Sequence, residues 1–177
     1  MNHTLAISLI AIPVIAGAML KYRSDYRSIG RTTQFTAQLL ILAFFMPNLT
    51  MATVVPWFSP AETPAVRIGW ALMLFSLLIF LWWIAIFGPI GKWVGATPGK
   101  LVTGGLFRYS RNPGYLSWLI FLSGYALGGG EWLALWPIFL YICLMHAMAL
   151  IEEEHLSAVF GEEYRDYMRR TPRYLLV

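Results

Sequence analysis

The sequence predicts an all-α, polytopic membrane helix bundle, and three observations carry that fold class. First, only 12% of the 177 residues are charged while 58% are hydrophobic, and a soluble domain needs about twice that charge. Second, apolar runs near the roughly 20 residues that cross a bilayer as a helix recur along the chain. Third, the basic residues gather in the segments between those runs instead of being spread evenly. This composition excludes a soluble globular enzyme, and 16% aromatic content excludes a disordered chain. The whole chain, 1–177, reads as one integral membrane domain with five spans.

The first span covers 5–20. No Lys or Arg precedes it, so the basic leader of a cleavable signal peptide is absent, and the cations Lys21, Arg23, Arg27 and Arg31 follow it. Spans two and three, 36–55 and 68–87, contain no charge. Pro13 and Pro47 are kinks that membrane helices tolerate. Span four, 114–127, is shorter and stops at Gly128-Gly129-Gly130-Glu131; span five, 132–151, returns from there, so the last two spans form a helical hairpin. Trp57, Trp82, Trp83, Trp93 and Trp132 lie near span ends, where amphipathic rings favour the interface.

Charge orients the bundle. The 21–35 loop, the 88–117 loop and the tail 152–177 hold four basic residues each, against Arg67 alone on the other face. Twelve against one gives an outside N-terminus, a cytoplasmic C-terminus and a cytoplasmic active site. The net charge of +4 then reports anionic lipid headgroups, and no aromatic–basic pattern points to nucleic acid. Cys143 excludes an intrachain disulfide and reads as a small buried residue. His3, His146 and His155 are scattered, with no metal-ligand spacing. Oligomeric state is not legible.

Polar chemistry concentrates in 99–117 and 146–174, which the hairpin brings side by side, whereas spans one to three read as bland. Asn112-Pro113 is a helix start, with Asn capping free amides and Pro pre-set for the first helical position. Such an N-terminus beside Arg111 suits a carboxylate or phosphate, although a capped helix with an Arg on the headgroups has the same pattern. Gly104-Gly105 permits a left-handed turn. Glu152-Glu153-Glu154 follows an apolar span directly; carboxylates there suit an ammonium or sulfonium group, oppose the helix dipole, and call for compensating cations. His146, within the span, reads either as a helix-packing hydrogen-bonder or as a base. The tail from Phe160 to Tyr174 reads as an amphipathic interfacial helix, or as a lid over a cofactor.

Together these segments resemble the isoprenylcysteine carboxyl methyltransferase and phospholipid methyltransferase superfamily of membrane enzymes. The resemblance runs from Leu101-Val102-Thr103 through Gly105 to Arg111-Asn112-Pro113-Gly114-Tyr115, then Glu152-Glu153, Leu156 and Phe160-Gly161-Glu162-Glu163-Tyr164, ending at Arg173. It covers roughly the last 80 residues. It implies S-adenosylmethionine as cofactor, held by Lys100, Leu101, Val102, Phe107, Asn112, Pro113, Gly114, Tyr115 and Glu152. It also implies a lipophilic acceptor reaching the site from the bilayer, with Arg111, His146 and Glu153 as the catalytic candidates. Three positions depart from the pattern: Asn112 and Gly99 stand where His is common, and Met148 replaces an Arg suited to a prenylcysteine carboxylate. Two other readings remain open, an NADPH-dependent membrane reductase of sterol-like or enone lipids and a non-catalytic membrane protein.

Overall fold

The computed structural model describes residues 2–55, 63–88 and 100–175. Trp57, Lys92, Trp93 and Gly99, which the sequence reading singled out, lie outside them. Among the described residues six α-helices follow one another: α1 (Asn2–Ile29), α2 (Gln34–Val54), α3 (Pro64–Phe87), α4 (Pro113–Gly129), α5 (Leu135–Phe160) and α6 (Glu162–Arg170). Short 3-10 turns occupy Gly105–Arg108 and Trp132–Ala134. The molecule is a polytopic helical bundle. Ala6–Ile29, Gln34–Val54, Pro64–Ile86 and Trp132–Phe160 are long and apolar enough to cross a membrane. With 17 residues, α4 is about 25 Å long.

Two helices, α1 and α5, outrun their apolar stretches where polar pairing continues them. Two further turns of α1 carry Lys21, Asp25, Arg23 and Arg27. Asp25 is buried, binds Lys21 one turn back, and accepts from the Thr33 amide at 2.9 Å and from the Thr36 hydroxyl at 2.5 Å. That carboxylate ties α1 to the start of α2, whose N-cap is Thr33. Pro64 opens α3 behind the N-cap Thr63, as a proline at the first helical position does.

The hairpin turn forms at Gly130, whose φ of 69° suits a residue without a Cβ. Its two arms do not make each other's main contact: α4 packs most extensively on α3, and α5 on α2, α1 and α4. The α3–α4 seam is antiparallel and made of small residues. A Cβ on Gly69 would meet the Gly124 carbonyl at 2.6 Å, and one on Gly124 would meet the Gly69 carbonyl at 2.7 Å. Midway, the Ser76 hydroxyl donates to the Ser117 carbonyl at 2.5 Å. Close backbone approach of this kind drives helix association where lipid removes the hydrophobic drive. At the far end Trp83 lies on Gly114, where a Cβ would sit 2.7 Å from the indole.

Two interior clusters fill the bundle. Tyr22, Leu40, Leu144 and Met148 belong to one, and Met51, Val55, Leu122 and Tyr141 to the other. Cys143, expected inside, is exposed, because the inward face of α5 is taken by Tyr141, Leu144, Met145 and Met148. Antiparallel alternation brings the C-terminal ends of α1, α3 and α5 and the N-terminal ends of α2 and α4 to one end of the bundle. There a third cluster, Phe107, Tyr164 and Tyr167, seats α6 on the 100–110 segment.

Candidate functional site

A cavity of about 240 Å³ opens at that end. Lys100, Leu101, Val102 and Phe107 form one side, and Arg111 through Tyr115 form a second with Trp83 behind them. Glu152, His155, Leu156, Val159 and Phe160 of α5 make a third, Tyr164 and Tyr167 of α6 a fourth, and Tyr26 and Gly30 complete the wall from α1. All nine residues expected at a cofactor therefore border one space, and so does Arg111. Glu153 and His146 do not. His146 is exposed on α5, with its Nδ1 3.1 Å from the Tyr174 hydroxyl.

The three glutamates divide by one turn of helix geometry. Glu154 points to α1, where Arg23 and Arg27 bind it at 2.9 and 2.7 Å. Glu153 takes both guanidinium arms of Arg173, at 2.8 and 2.7 Å, and lies 3.1 Å from Arg111. These pairs supply cations for the two glutamates, but not against a helix end as the sequence reading expects, since the helix continues about two turns further to Phe160. Glu152 has none. Its Oε1 accepts from Tyr115 at 2.6 Å and Tyr22 at 3.1 Å, and among the described residues no hydrogen bond takes up Oε2. The Tyr22 and Tyr26 hydroxyls are 2.9 Å apart, and the Tyr26 ring stacks on His155 with centroids at 3.8 Å.

The start of α4 departs from expectation. Asn112 is the N-cap by position, but its side chain caps nothing. Its Nδ2 donates instead to the Arg173 carbonyl at 3.1 Å, a contact only the amide nitrogen can make. Its own amide donates to the Ser110 hydroxyl at 3.1 Å. With Pro113 lacking an N–H, the Gly114 and Tyr115 amides are left without a hydrogen bond among the described residues, beside the cavity. Nearby, Arg111 is 10% exposed, and its Nε is buried without a hydrogen-bond partner.

The tail folds as the roof, one of its two sequence readings. Gly161, at φ 54°, breaks α5 from α6 and turns the chain back. The buried faces of Tyr164 and Tyr167 then cover the cavity while the charged face of α6 points outward. Tyr167 donates to the Phe107 carbonyl at 2.6 Å. Burial pushes the Tyr164 phenol up to about 12 and raises the Tyr167 phenol as well, so both remain protonated. The hydrogen bonds to Glu153 raise the Arg173 guanidinium further and keep it charged. Gly105 takes the left-handed turn foreseen for the Gly104-Gly105 pair, at φ 60°.

Spans one to three read as bland, yet α3 supplies Trp83, and the 21–35 segment expected as a loop continues α1 and supplies Tyr22 and Tyr26. Tyr22 and Tyr26 are four apart and so share one helix face. That spacing was the available signal, but it reads equally as an interfacial belt. Trp83, near the end of its span, also walls the cavity, because Gly114 leaves room for it. Among the described residues no group of three His, Cys, Asp or Glu side chains could hold a metal.

The phospholipid methyltransferase family profile matches residues 64–163. The chain belongs to the phospholipid methyltransferase family. That membership makes it a membrane methyltransferase by family, within the superfamily that includes the isoprenylcysteine carboxyl methyltransferases. The matched segment begins at α3 and ends in the first turn of α6, so it contains Trp83, the uncapped helix start and the glutamates. No curated protein and no solved structure matches the chain.

Proposed function

We propose that the cavity binds S-adenosylmethionine and that the protein methylates a lipophilic acceptor, an amine, carboxylate or thiol, that partitions into the bilayer. One observation carries this reading: of three consecutive glutamates, the one bordering the cavity is the one without a cation among the described residues. A buried carboxylate held only by phenols favours a cationic ligand. The Gly114 and Tyr115 amides and the Arg111 guanidinium supply the complementary half, donors for a carboxylate. The pair fits the ammonium and carboxylate of an amino-acid tail.

When bound, S-adenosylmethionine supplies a sulfonium methyl that an acceptor takes by in-line displacement, the electron pair of the breaking S–C bond staying on sulfur. The residues of this chain bind, orient and exclude water. Glu152 holds the ammonium end, fixed by Tyr115 and Tyr22. Leu101, Val102 and Phe107 give an apolar wall for an aromatic base, and Tyr164 and Tyr167 roof it. Such fixation supplies up to about 7–11 kcal/mol of a bimolecular barrier. A carboxylate or thiolate acceptor needs no base, whereas an amine has to lose its proton before attack. His146 and Glu153 do not border the cavity, and we give them no part in that step. Met148 is buried in the core, which leaves no cation at the position suited to a prenylcysteine carboxylate. The twelve-to-one division of Lys and Arg supports an outside N-terminus and a cytoplasmic cavity.

The test is calorimetric titration of the detergent-purified protein with S-adenosylhomocysteine, with NADPH in parallel. Saturable binding of S-adenosylhomocysteine alone is expected. Binding of NADPH alone would move the protein to the reductase class, and binding of neither by folded protein would overturn an enzymatic reading.

A further inference from the structure

The last described residues form a strap across the mouth of the α4 helix. The Arg111 amide donates to the Pro172 carbonyl at 3.0 Å. The Arg173 carbonyl accepts from both the Ser110 hydroxyl, at 3.2 Å, and Asn112 Nδ2, at 3.1 Å. The Arg173 side chain is clamped twice on Glu153, and the Tyr174 hydroxyl reaches His146. A residue some 60 positions away thus competes for the Asn112 side chain with the helix that Asn112 begins.

Asparagine is among the best N-cap residues, and its oxygen satisfies the second or third helical amide. With Pro113 in first place, those two amides are Gly114 and Tyr115, which border the cavity. A capped α4 would offer its amides to its own side chain. The strap prevents this by using Nδ2, which fixes how the amide group lies.

We infer that Arg173 is a positioning residue: by clamping the strap on Glu153 it diverts Asn112 from capping α4 and keeps the Gly114 and Tyr115 amides open for a ligand carboxylate. The inference rests on the reading of the cavity as a binding site for an amino-acid-tailed cofactor. Arg173 does not border the cavity; it acts through Asn112, while the Glu153 it clamps also contacts Arg111.

The experiment reads two quantities, S-adenosylhomocysteine affinity and amide hydrogen exchange at Gly114 and Tyr115 in the ligand-free protein. Arg173→Gln is expected to weaken binding by about fivefold, the usual worth of an N-cap, and to slow exchange at both amides by a similar factor. Adding Asn112→Ala to Arg173→Gln should recover both, since alanine cannot cap; a purely structural strap would predict further loss. If Arg173→Gln does not fold, Asn112→Ser against Asn112→Ala decides. Serine is a strong cap and alanine is not, so the serine variant should exchange more slowly and bind about fivefold more weakly. Equal exchange in the serine and alanine variants, or no recovery in the double variant, overturns the inference. Failure of the unchanged protein to bind S-adenosylhomocysteine would defeat the cofactor reading, while the exchange rates still decide what the strap does.

Discussion

Along α3 and α4 the backbones meet through Gly69, Gly124 and Ser76; at the cavity end, α1, α5 and the strap meet through arginines and glutamates. The seam depends on shape, and nothing in it relaxes without moving a helix. The ionic collar depends on charge balance, and its members differ steeply in burial: the Glu154 side chain is 40% exposed and that of Glu153 12%. Glu152 belongs to the collar in sequence but not in chemistry. Close packing therefore sets whether the bundle forms, and charge balance sets which carboxylate is left for a ligand.

Substitutions that discriminate the two regions should rank accordingly. Gly69→Val should act most strongly, because its side chain meets the Gly124 carbonyl and the Gly128 amide. A loss of roughly 3 kcal/mol is expected, read as a drop in Tm in detergent; an unchanged Tm would break the account of the seam. Glu153→Gln should cost about 2 kcal/mol, since charged hydrogen bonds to Arg173 are weakened and Arg111 loses its counter-charge. Glu152→Gln should reverse the pattern. Binding of S-adenosylhomocysteine should fall about tenfold, or about 1.4 kcal/mol, while the Tm of the free protein does not fall, because the lost charge had no cation. Unchanged affinity would remove the role given to Glu152. Glu154→Gln should act least, about 0.5 kcal/mol, and the difference should vanish in 1 M salt, where screening is short-ranged.

Hydropathy and loop charge made the helices legible, since bilayer thickness fixes their length irrespective of partners. The ends were less so. The helix α5 continues to Phe160 and α1 to Ile29 because Glu154 on one pairs with Arg23 and Arg27 on the other, and no local pattern announces a pairing across more than 120 residues. The segments 100–115 and 152–167 were legible as two sides of one site because their polar residues interrupt an otherwise apolar chain. The contribution of Tyr22 was not, since a tyrosine near a span end has an interfacial reading of equal weight. Asn112 shows the opposite failure. Its local preference was read correctly and then overridden by a carbonyl 61 residues away. The division of labour among Glu152, Glu153 and Glu154 was likewise hidden, because it depends on which neighbour each rung of α5 faces.

Gly161 carries a mechanical consequence. Its φ of 54° and ψ of −123° place it where L side chains are strained, so one residue sets the angle between α5 and α6. The nine residues of α6 make a rod about 13 Å long, and a 20° rotation at its hinge would sweep the far end by about 5 Å. That far end is moored at Thr171 and the strap beyond it. The roof is thus a beam supported at both ends and pinned between them, where Tyr167 donates to the Phe107 carbonyl. Where Tyr164 and Tyr167 stand over the cavity therefore depends on the backbone of one residue.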